Sequence, residues 1–573
     1  MTVSKTIRRR DVSAGGDWPG TVPPLLQRIY AARGAHSLEQ AQPRLAQLFP
    51  PDALGGLDDA TRLLADAIAG DRHIVVVGDF DCDGATACAV GVRGLRMLGA
   101  NRVSHAVPNR MVHGYGMTPG LVEDLASLKP ELLVTVDHGI ACHAGIAAAK
   151  ARGWDVLVTD HHHQADTLPP ADAIVNPNLR GDGFPSKALA GVGVMFYVLL
   201  ALRRHLRDAG QFAQGTPDLS TLLDLVAVGT VADMVPLDVN NRALVAAGLR
   251  RLRAGQGCAG LRALIEVSGR DAATLGTSDI GFSLAPRINA AGRLEDMALG
   301  IECLLSDDAT HARGIADTLS AINAERRTVQ QQMLEEAETA LARIALDDGS
   351  LPPVLCLFDP EWHPGVVGLV ASKVKERLHR PAFAFAPSEP GGEMLRGSAR
   401  SIPGLHIRDV LAAIDARHPG LIARFGGHAM AAGMSLSREW LPQFQQVLQA
   451  QVLEMLDNAW LREEILSDGE LRLHELDRTH AEWLRDGGPW GQGYPEPLFD
   501  GEFTVLNSRV VGERHLKLEL APSAGGQRLN AIEFGGWNGE KPPARIRIAY
   551  RLEPDDYRGG QAVQLVIVHR EPA

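Results

Sequence analysis

Cysteine is scarce and scattered, six in 573 residues with no Cys-x-x-Cys pair, which excludes a zinc ribbon and a disulfide framework. No apolar run is long enough for a membrane: the longest, Ala188 to Leu202, falls short of the roughly 20 residues a span needs. Met1 to Arg10 is charged with no apolar core behind it, so a signal peptide is not expected. There is no internal repeat of short period and no low-complexity run. Lysine is also rare, eight of the 57 basic residues. The arginine excess suits bidentate phosphate contacts, but GC-rich coding accounts for most of it and composition locates no patch. A net charge of −12 argues against indiscriminate coating of nucleic acid while leaving room for a local basic channel. The length suggests about three or four domains in a soluble, reducing, cytoplasmic setting.

Against this background one stretch stands out. Asp79-Phe-Asp81-Cys-Asp83-Gly84 sets three carboxylates within five residues, directly after the apolar run Ile74 to Val77. Such a run reads as a buried parallel strand, and Ala85 to Leu98 has helical spacing. The acids therefore crowd the loop at a strand's carboxyl end, where open α/β sheets place ligands. Like charges this close call for a cation, and a divalent metal is the simplest one. The design recurs: Leu132 to Val136 ends in Asp137-His138, and Val156 to Thr159 ends in Asp160-His161-His162-His163. A fourth candidate, Asp233, follows the helix-like run Leu222 to Val228. The three strand-end clusters would converge along one sheet edge. Carboxylates with a little imidazole suit Mg²⁺ or Mn²⁺; Cys82 and His163 read as bystanders.

These residues resemble the DHH phosphoesterase superfamily, named for Asp-His-His as at Asp160-His161-His162. Gly426-Gly427-His428-Ala429-Met430-Ala431-Ala432-Gly433 resembles the glycine–histidine signature of its companion DHHA1 domain. Further stretches are similar to its single-strand nuclease branch: Pro108-Asn109-Arg110 with His113-Gly114-Tyr115-Gly116, Ala285 to Arg293, Trp362 to Gly368, and Gly397 to Gly404. The resemblance runs from about Ile74 to the C-terminus. It implies a site for two ions, Mn²⁺ or Mg²⁺, bridged by Asp137. Asp83, His161 and Asp233 would complete one ion's ligands and Asp81 would anchor the other. The catalytic set would be His162, facing the scissile phosphate, with Asp79 and His138 as ligands or supports. On the substrate side Arg110, Arg287, Ser398 and Arg400 would hold the terminal phosphate and nearby backbone. Gly426, Gly427 and His428 would approach a nucleotide, and Tyr115 would stack a base. One position departs from the pattern: many relatives carry a histidine where this chain has Val77, so the outer ion loses a nitrogen ligand.

The expected fold class is α/β. Residues 1–50 read as an N-terminal extension packed on the first domain, and 51–270 as a parallel-sheet DHH catalytic domain of alternating strands and helices. Residues 271–350 read as a linker with a long helix over Asp307 to Asp348, 351–456 as a smaller α/β DHHA1 domain, and 457–573 as a β-barrel. Texture alone allows a sandwich for the last region; the resemblance implies a nucleic-acid-binding OB-fold.

The function implied is a 5′-to-3′ exonuclease that degrades single-stranded DNA to mononucleotides in DNA repair and recombination. It would act as a monomer, with single-strand-binding protein and a RecQ-type helicase as partners. Three alternatives have the same fold: a phosphodiesterase for cyclic dinucleotides or very short oligonucleotides, a family-II inorganic pyrophosphatase, and a replication factor that has lost its metal. The β-rich region after Leu471 speaks against the first two, and retention of the ligand set against the third.

Overall fold

A computed structural model describes residues 5–12, 15–109, 112–213, 215–348, 352–523 and 525–573. Its strands are β1 (Lys5–Arg9), β2 (Ile74–Val77), β3 (Val103–Ala106), β4 (Leu132–Val136), β5 (Asp155–Thr159), β6 (Ala173–Val175), β7 (Leu355–Phe358), β8 (Ala382–Pro387), β9 (Met394–Arg400), β10 (Arg424–Gly427), β11 (Ala431–Ser437), β12 (Glu463–Ser467), β13 (Phe499–Val511), β14 (His515–Pro522), β15 (Leu529–Glu533), β16 (Arg545–Pro554) and β17 (Val563–Pro572).

The first sheet is wholly parallel, in the order β3-β2-β4-β5-β6. β2 and β4 are buried along their whole length, which is why they read as nearly continuous Val/Leu/Ile, broken only by Thr135, rather than as an alternation. Register sets the site. Val77 pairs with Thr135 and Val136 with Thr159, so the three motif loops leave neighbouring strands at one level, on one sheet edge. Alternation of strand and helix was expected to continue to residue 270. Instead, among the described residues no strand lies between Val175 and Leu355. That stretch is helical; the first half of the helix Gly191–Asp208 and nearly all of Leu223–Ala232 are apolar and buried against the core.

The long helix runs from Ala309 to Asp348, about 60 Å at 1.5 Å per residue. Ala312, Ile315, Ala316 and Leu319 join the core of the first sheet; Met333 and Ala337 join that of the second. The second sheet is mixed, in the order β10-β11-β9-β8-β7, with only β7 and β8 parallel. The last five strands close a barrel, β13-β14-β15-β17-β16, whose period-2 burial matches the alternation of Leu516 to Leu520.

The N-terminal segment does not simply sit on the first domain. It touches that domain where Arg242 donates to Gln40 O and Phe49 N–H donates to Asn240 Oδ1. Its larger commitment is to the barrel side: β1 pairs in parallel with β12, Tyr30 Oη donates to Gly487 O, and Arg33 forks onto Asp468 at 2.8 and 2.9 Å. Both side chains of that pair are 1% exposed. The segment is a strap between first and last domains, a placement that depends on contacts over 400 residues apart.

Candidate active site

The three acids after β2 take different positions. Asp81 caps the helix Cys82–Met97, its Oδ1 accepting Gly84 N–H at 3.0 Å. Asp83, in the first turn, points the other way: its carboxylate accepts Gly191 N–H at 2.6 Å and Val192 N–H at 3.0 Å, at the start of the helix Gly191–Asp208. A helix N-terminus is a natural seat for an anion. Gly191 is obligatory there, since a Cβ on it would lie 2.5 Å from Asp137 Cβ. Asp137 itself has φ +64°, a strained conformation for a non-glycine residue that is tolerated where function demands it.

His161 Nε2 lies 3.1 Å from Asp137 Oδ1 and 3.5 Å from Asp233 Oδ2. All three atoms are buried and none has a hydrogen-bond partner. Buried polar atoms are rarely left unsatisfied, and three aimed at one point are what a cation would satisfy. Ligand atoms of Asp83, His161 and Asp233 come together within 4.8 Å of one another, as do those of Asp79, Asp81 and Asp137, and of Asp137, His161 and His162. The residues present fit a divalent metal of the hard-oxygen class with one or two imidazoles.

The electrostatics agree. Burial, then the neighbouring Asp81, pushes Asp83 up to about 7. Burial followed by the other acids raises Asp137 and Asp233 well above the usual carboxylate range. Burial, then the charge on His162, lowers His161 to about 4, which leaves its ring neutral and able to ligate.

His162 is the opposite case. Its Nδ1 donates to Asp160 Oδ1 at 2.7 Å. Burial disfavours the imidazolium, but the bond to Asp160 prevails and raises the ring to about 9. Asp160 Oδ1 also accepts His161 N–H at 2.7 Å and His162 N–H at 3.0 Å, and Oδ2 accepts Ile140 N–H at 2.9 Å. Asp160 is thereby saturated by the chain and serves to orient His162, a role the sequence reading did not assign. Asn178 and Asn176 donate to the carbonyls of His161 and His162, and Asn289 Oδ1 accepts Cys82 N–H in the first acid loop. Asn176 and Asn178 carry no spacing signal and were missed; Asn289 lies in the stretch Ala285 to Arg293 but was given no role.

His138 is fully buried and its Nε2 donates to Val77 O at 3.1 Å; burial lowers it to about 4. It faces the strands behind the loop, not the cleft. The Val77 side chain packs in the apolar layer beneath the site with Met117, Leu121 and Val158, offering no ligand.

The second sheet forms the opposite wall. His428 stacks on His162 at 6.0 Å between ring centroids. Arg400 donates to Ser398 Oγ at 3.0 Å and to Ala399 O, beside Gly368, where a Cβ would lie 3.0 Å from Ser398 Oγ. A Cβ on Gly426 would meet open space; Gly427 has φ +148° and takes the hairpin towards His428. Tyr115, 46% exposed, packs edge-on to Phe80 and His162 at 5.9 and 6.1 Å. Arg287 is placed apart from the acids, donating to Ser283 O and Ser320 Oγ. Arg110 lies outside the described residues.

A parallel sheet whose carboxyl edge carries this acid–imidazole cluster, closed by a glycine–histidine hairpin from a second sheet, defines a DHH-type phosphoesterase. Residues 73–230 match the DHH family, N-terminal domain, residues 351–454 the DHHA1 domain, and residues 467–569 the RecJ OB domain. The single-stranded-DNA-specific exonuclease RecJ of Salmonella typhimurium is 48% identical over 99% of this chain and 99% of its own length. That of Escherichia coli is 47% identical over 98% of each. The crystal structure of RecJ from Thermus thermophilus in complex with Mn²⁺ superposes with TM-score 0.80 and 31% identity, covering 100% of this chain and 80% of that one. The chain belongs to the RecJ family.

Proposed function

We propose that this chain is a single-strand-specific 5′-to-3′ DNA exonuclease that works with two Mn²⁺ or Mg²⁺ ions. The observation that carries the reading is the trio of buried, unsatisfied atoms Asp137 Oδ1, His161 Nε2 and Asp233 Oδ2 facing the Arg400–His428 wall. In this reading Asp137 is shared by both ions, Asp83, His161 and Asp233 hold one, and Asp81 with Asp79 holds the other. A bound ion pair supplies a water of lowered pKa and neutralises charge on the phosphate.

The chain's own residues do the rest. Asp160 fixes the ring of His162 and keeps it protonated, so that its free nitrogen donates a hydrogen bond to an oxygen of the scissile phosphate. Arg400 and Ser398, with Arg110, hold the terminal phosphate, and Arg287, set apart from the acids, meets backbone further along the strand. Gly426, Gly427 and His428 line the nucleotide, and Tyr115 stacks its base. His138 supports the loop from behind. Water adds to phosphorus and the P–O3′ bond breaks, which frees a 5′-mononucleotide and leaves a new 5′-phosphate for the next cycle. Two facing walls admit one strand and exclude a duplex. The barrel, an OB-fold in residues 457–573, gives the trailing strand a platform. The setting is cytoplasmic DNA repair and recombination, with single-strand-binding protein and a RecQ-type helicase as partners by family resemblance.

The test is digestion of 5′-labelled and 3′-labelled single strands, duplex and cyclic dinucleotide, with and without Mn²⁺. Mononucleotides released first from the 5′ label, only with the ion, are expected. Release from the 3′ end first, or equal attack on duplex, would overturn the reading.

A further inference from the structure

Residues Ile280–Leu284 form a π-helical turn just before the helix Ala285–Leu294, a rare geometry that recurs at functional sites. At its centre Phe282 is 83% exposed, a poor position for a large aromatic that packs against nothing. The turn is tied to the site on one side: a Cβ on Gly281 would come within 3.9 Å of Val231, two residues before Asp233. Met234, next to Asp233, is 71% exposed and has φ +59°. On the other side the chain just before the turn, and the loop after Asp233, are tied to the approach to the barrel. Thr277 Oγ1 donates to Trp490 O at 2.6 Å, Ser278 Oγ donates to Glu496 Oε1 at 3.0 Å, and Leu237 N–H donates to Gln492 O at 2.7 Å. Phe282 thus lies on the ground between acid cluster and barrel.

Arginines crowd this turn: Arg270 and Arg287 both donate to Ser283, the residue after Phe282, and the nearby acid Asp279 pairs with Arg270 at 3.3 Å. Burial, then the nearby Arg327 and Arg270, lowers Arg287 from its ordinary value, so three guanidinium groups gather in this region. The distance is also suitable. Asn289, which binds the first acid loop, is seven residues from Phe282 along one helical stretch, about 10 Å.

We infer that Phe282, flanked by Arg270, Arg287 and Arg327, is a stacking step for single-stranded DNA between the metal cluster and the barrel. The inference rests on the exonuclease reading for the identity of its ligand. An exposed aromatic ring takes any base on its face, and the arginines follow the phosphates. The step engages only strands that extend beyond the residues held in the cleft, so Phe282 sets length preference, not chemistry.

The test is Phe282→Ala and Phe282→Trp in the full chain. Affinity for a labelled 20-nucleotide strand is measured by fluorescence anisotropy without divalent ion, so that cleavage is not required. Digestion of the 20-mer and of a trinucleotide is measured separately with Mn²⁺. Phe282→Ala should weaken 20-mer binding about tenfold, raise KM for the 20-mer similarly with kcat within twofold, and do neither for the trinucleotide; Phe282→Trp should restore binding. Unchanged 20-mer affinity, or equal losses on both lengths, would overturn the inference. Failure of the wild-type chain to digest any strand would count against the exonuclease reading, while the binding comparison would still decide the role of Phe282.

Discussion

Asp160→Asn perturbs a residue that touches neither substrate nor the ligand atoms, yet a large catalytic loss is expected there. Asp160 Oδ1 accepts three hydrogen bonds and Oδ2 a fourth. A carboxamide of the same shape keeps the acceptors on one side only and removes the charge. His162 is raised to about 9 against an ordinary 6.5, a difference worth about 3 kcal/mol. The sign follows directly: with its value raised, the ring stays protonated and bound to Asp160 through neutral pH and loses that stabilisation only as pH climbs through about 9. In the variant the ring should titrate at or below about 6.5. At pH 8 most molecules would then lack the donor to the phosphate, and the freed ring would lose its fixed orientation. Together these predict a fall in kcat of about a hundredfold, within the usual range for a positioned acid–base group. Two assays check this: NMR titration of the His162 ring in metal-free protein, and kcat against pH with saturating Mn²⁺. Circular dichroism and metal content should stay near wild type. A His162 that titrates at its ordinary value in the wild type, or an Asp160→Asn enzyme with unaltered kcat, would refute the reasoning.

Three further outcomes follow from the geometry. A strand with a 5′-phosphate should be digested faster than a 5′-hydroxyl strand, and Arg400→Ala should shrink that preference about 10- to 100-fold, the loss of one or two charge-assisted bonds; an unchanged ratio would remove Arg400 from the phosphate. Because Asp83 holds its proton up to about 7, protons compete with the ion below that pH. Apparent Mn²⁺ affinity should fall about tenfold per unit as pH drops from 7 to 6, with proton release on binding, so a flat calorimetric profile over that window would contradict the assignment. Asp468→Ala strands the Arg33 guanidinium in the interior and should cost about 3–5 kcal/mol. It should lower Tm while leaving Mn²⁺ binding intact; an unshifted Tm would show that the strap is dispensable.

The parts legible in the sequence are those written in local pattern. Ile74 to Val77, Leu132 to Val136 and the DHH strand announced themselves because a strand buried on both faces must be apolar along most of its length. Their acids converge because parallel strands in register end at one level. The helix Ala309–Asp348 was equally plain from its helical period, whereas alternation bounded by turns marked the last region as β without deciding between sandwich and the closed barrel that forms. Long-range contacts were not legible. Nothing local tells that β1 pairs with β12, or that Arg33 meets Asp468. Nor does it show that the Asp of Asp-His-His is consumed by the backbone and its second histidine while the first histidine faces the acids. The same motif supplies a support, a ligand candidate and a donor, and only the turn geometry after β5 separates them. His138 shows the converse, since its position after Asp137 suggests chemistry but its ring turns back to Val77 O.

The chemistry depends most on where the metal sits. Crystals of the full chain grown with Mn²⁺ and measured at the manganese absorption edge give that position without reference to activity. Two anomalous peaks about 4 Å apart are predicted. One should lie against Asp83, Asp137, His161 and Asp233, the other against Asp79, Asp81 and Asp137, with Asp160 bound to neither. Peaks elsewhere in the chain, or an ion bound by Asp160 in place of Asp137, would contradict it.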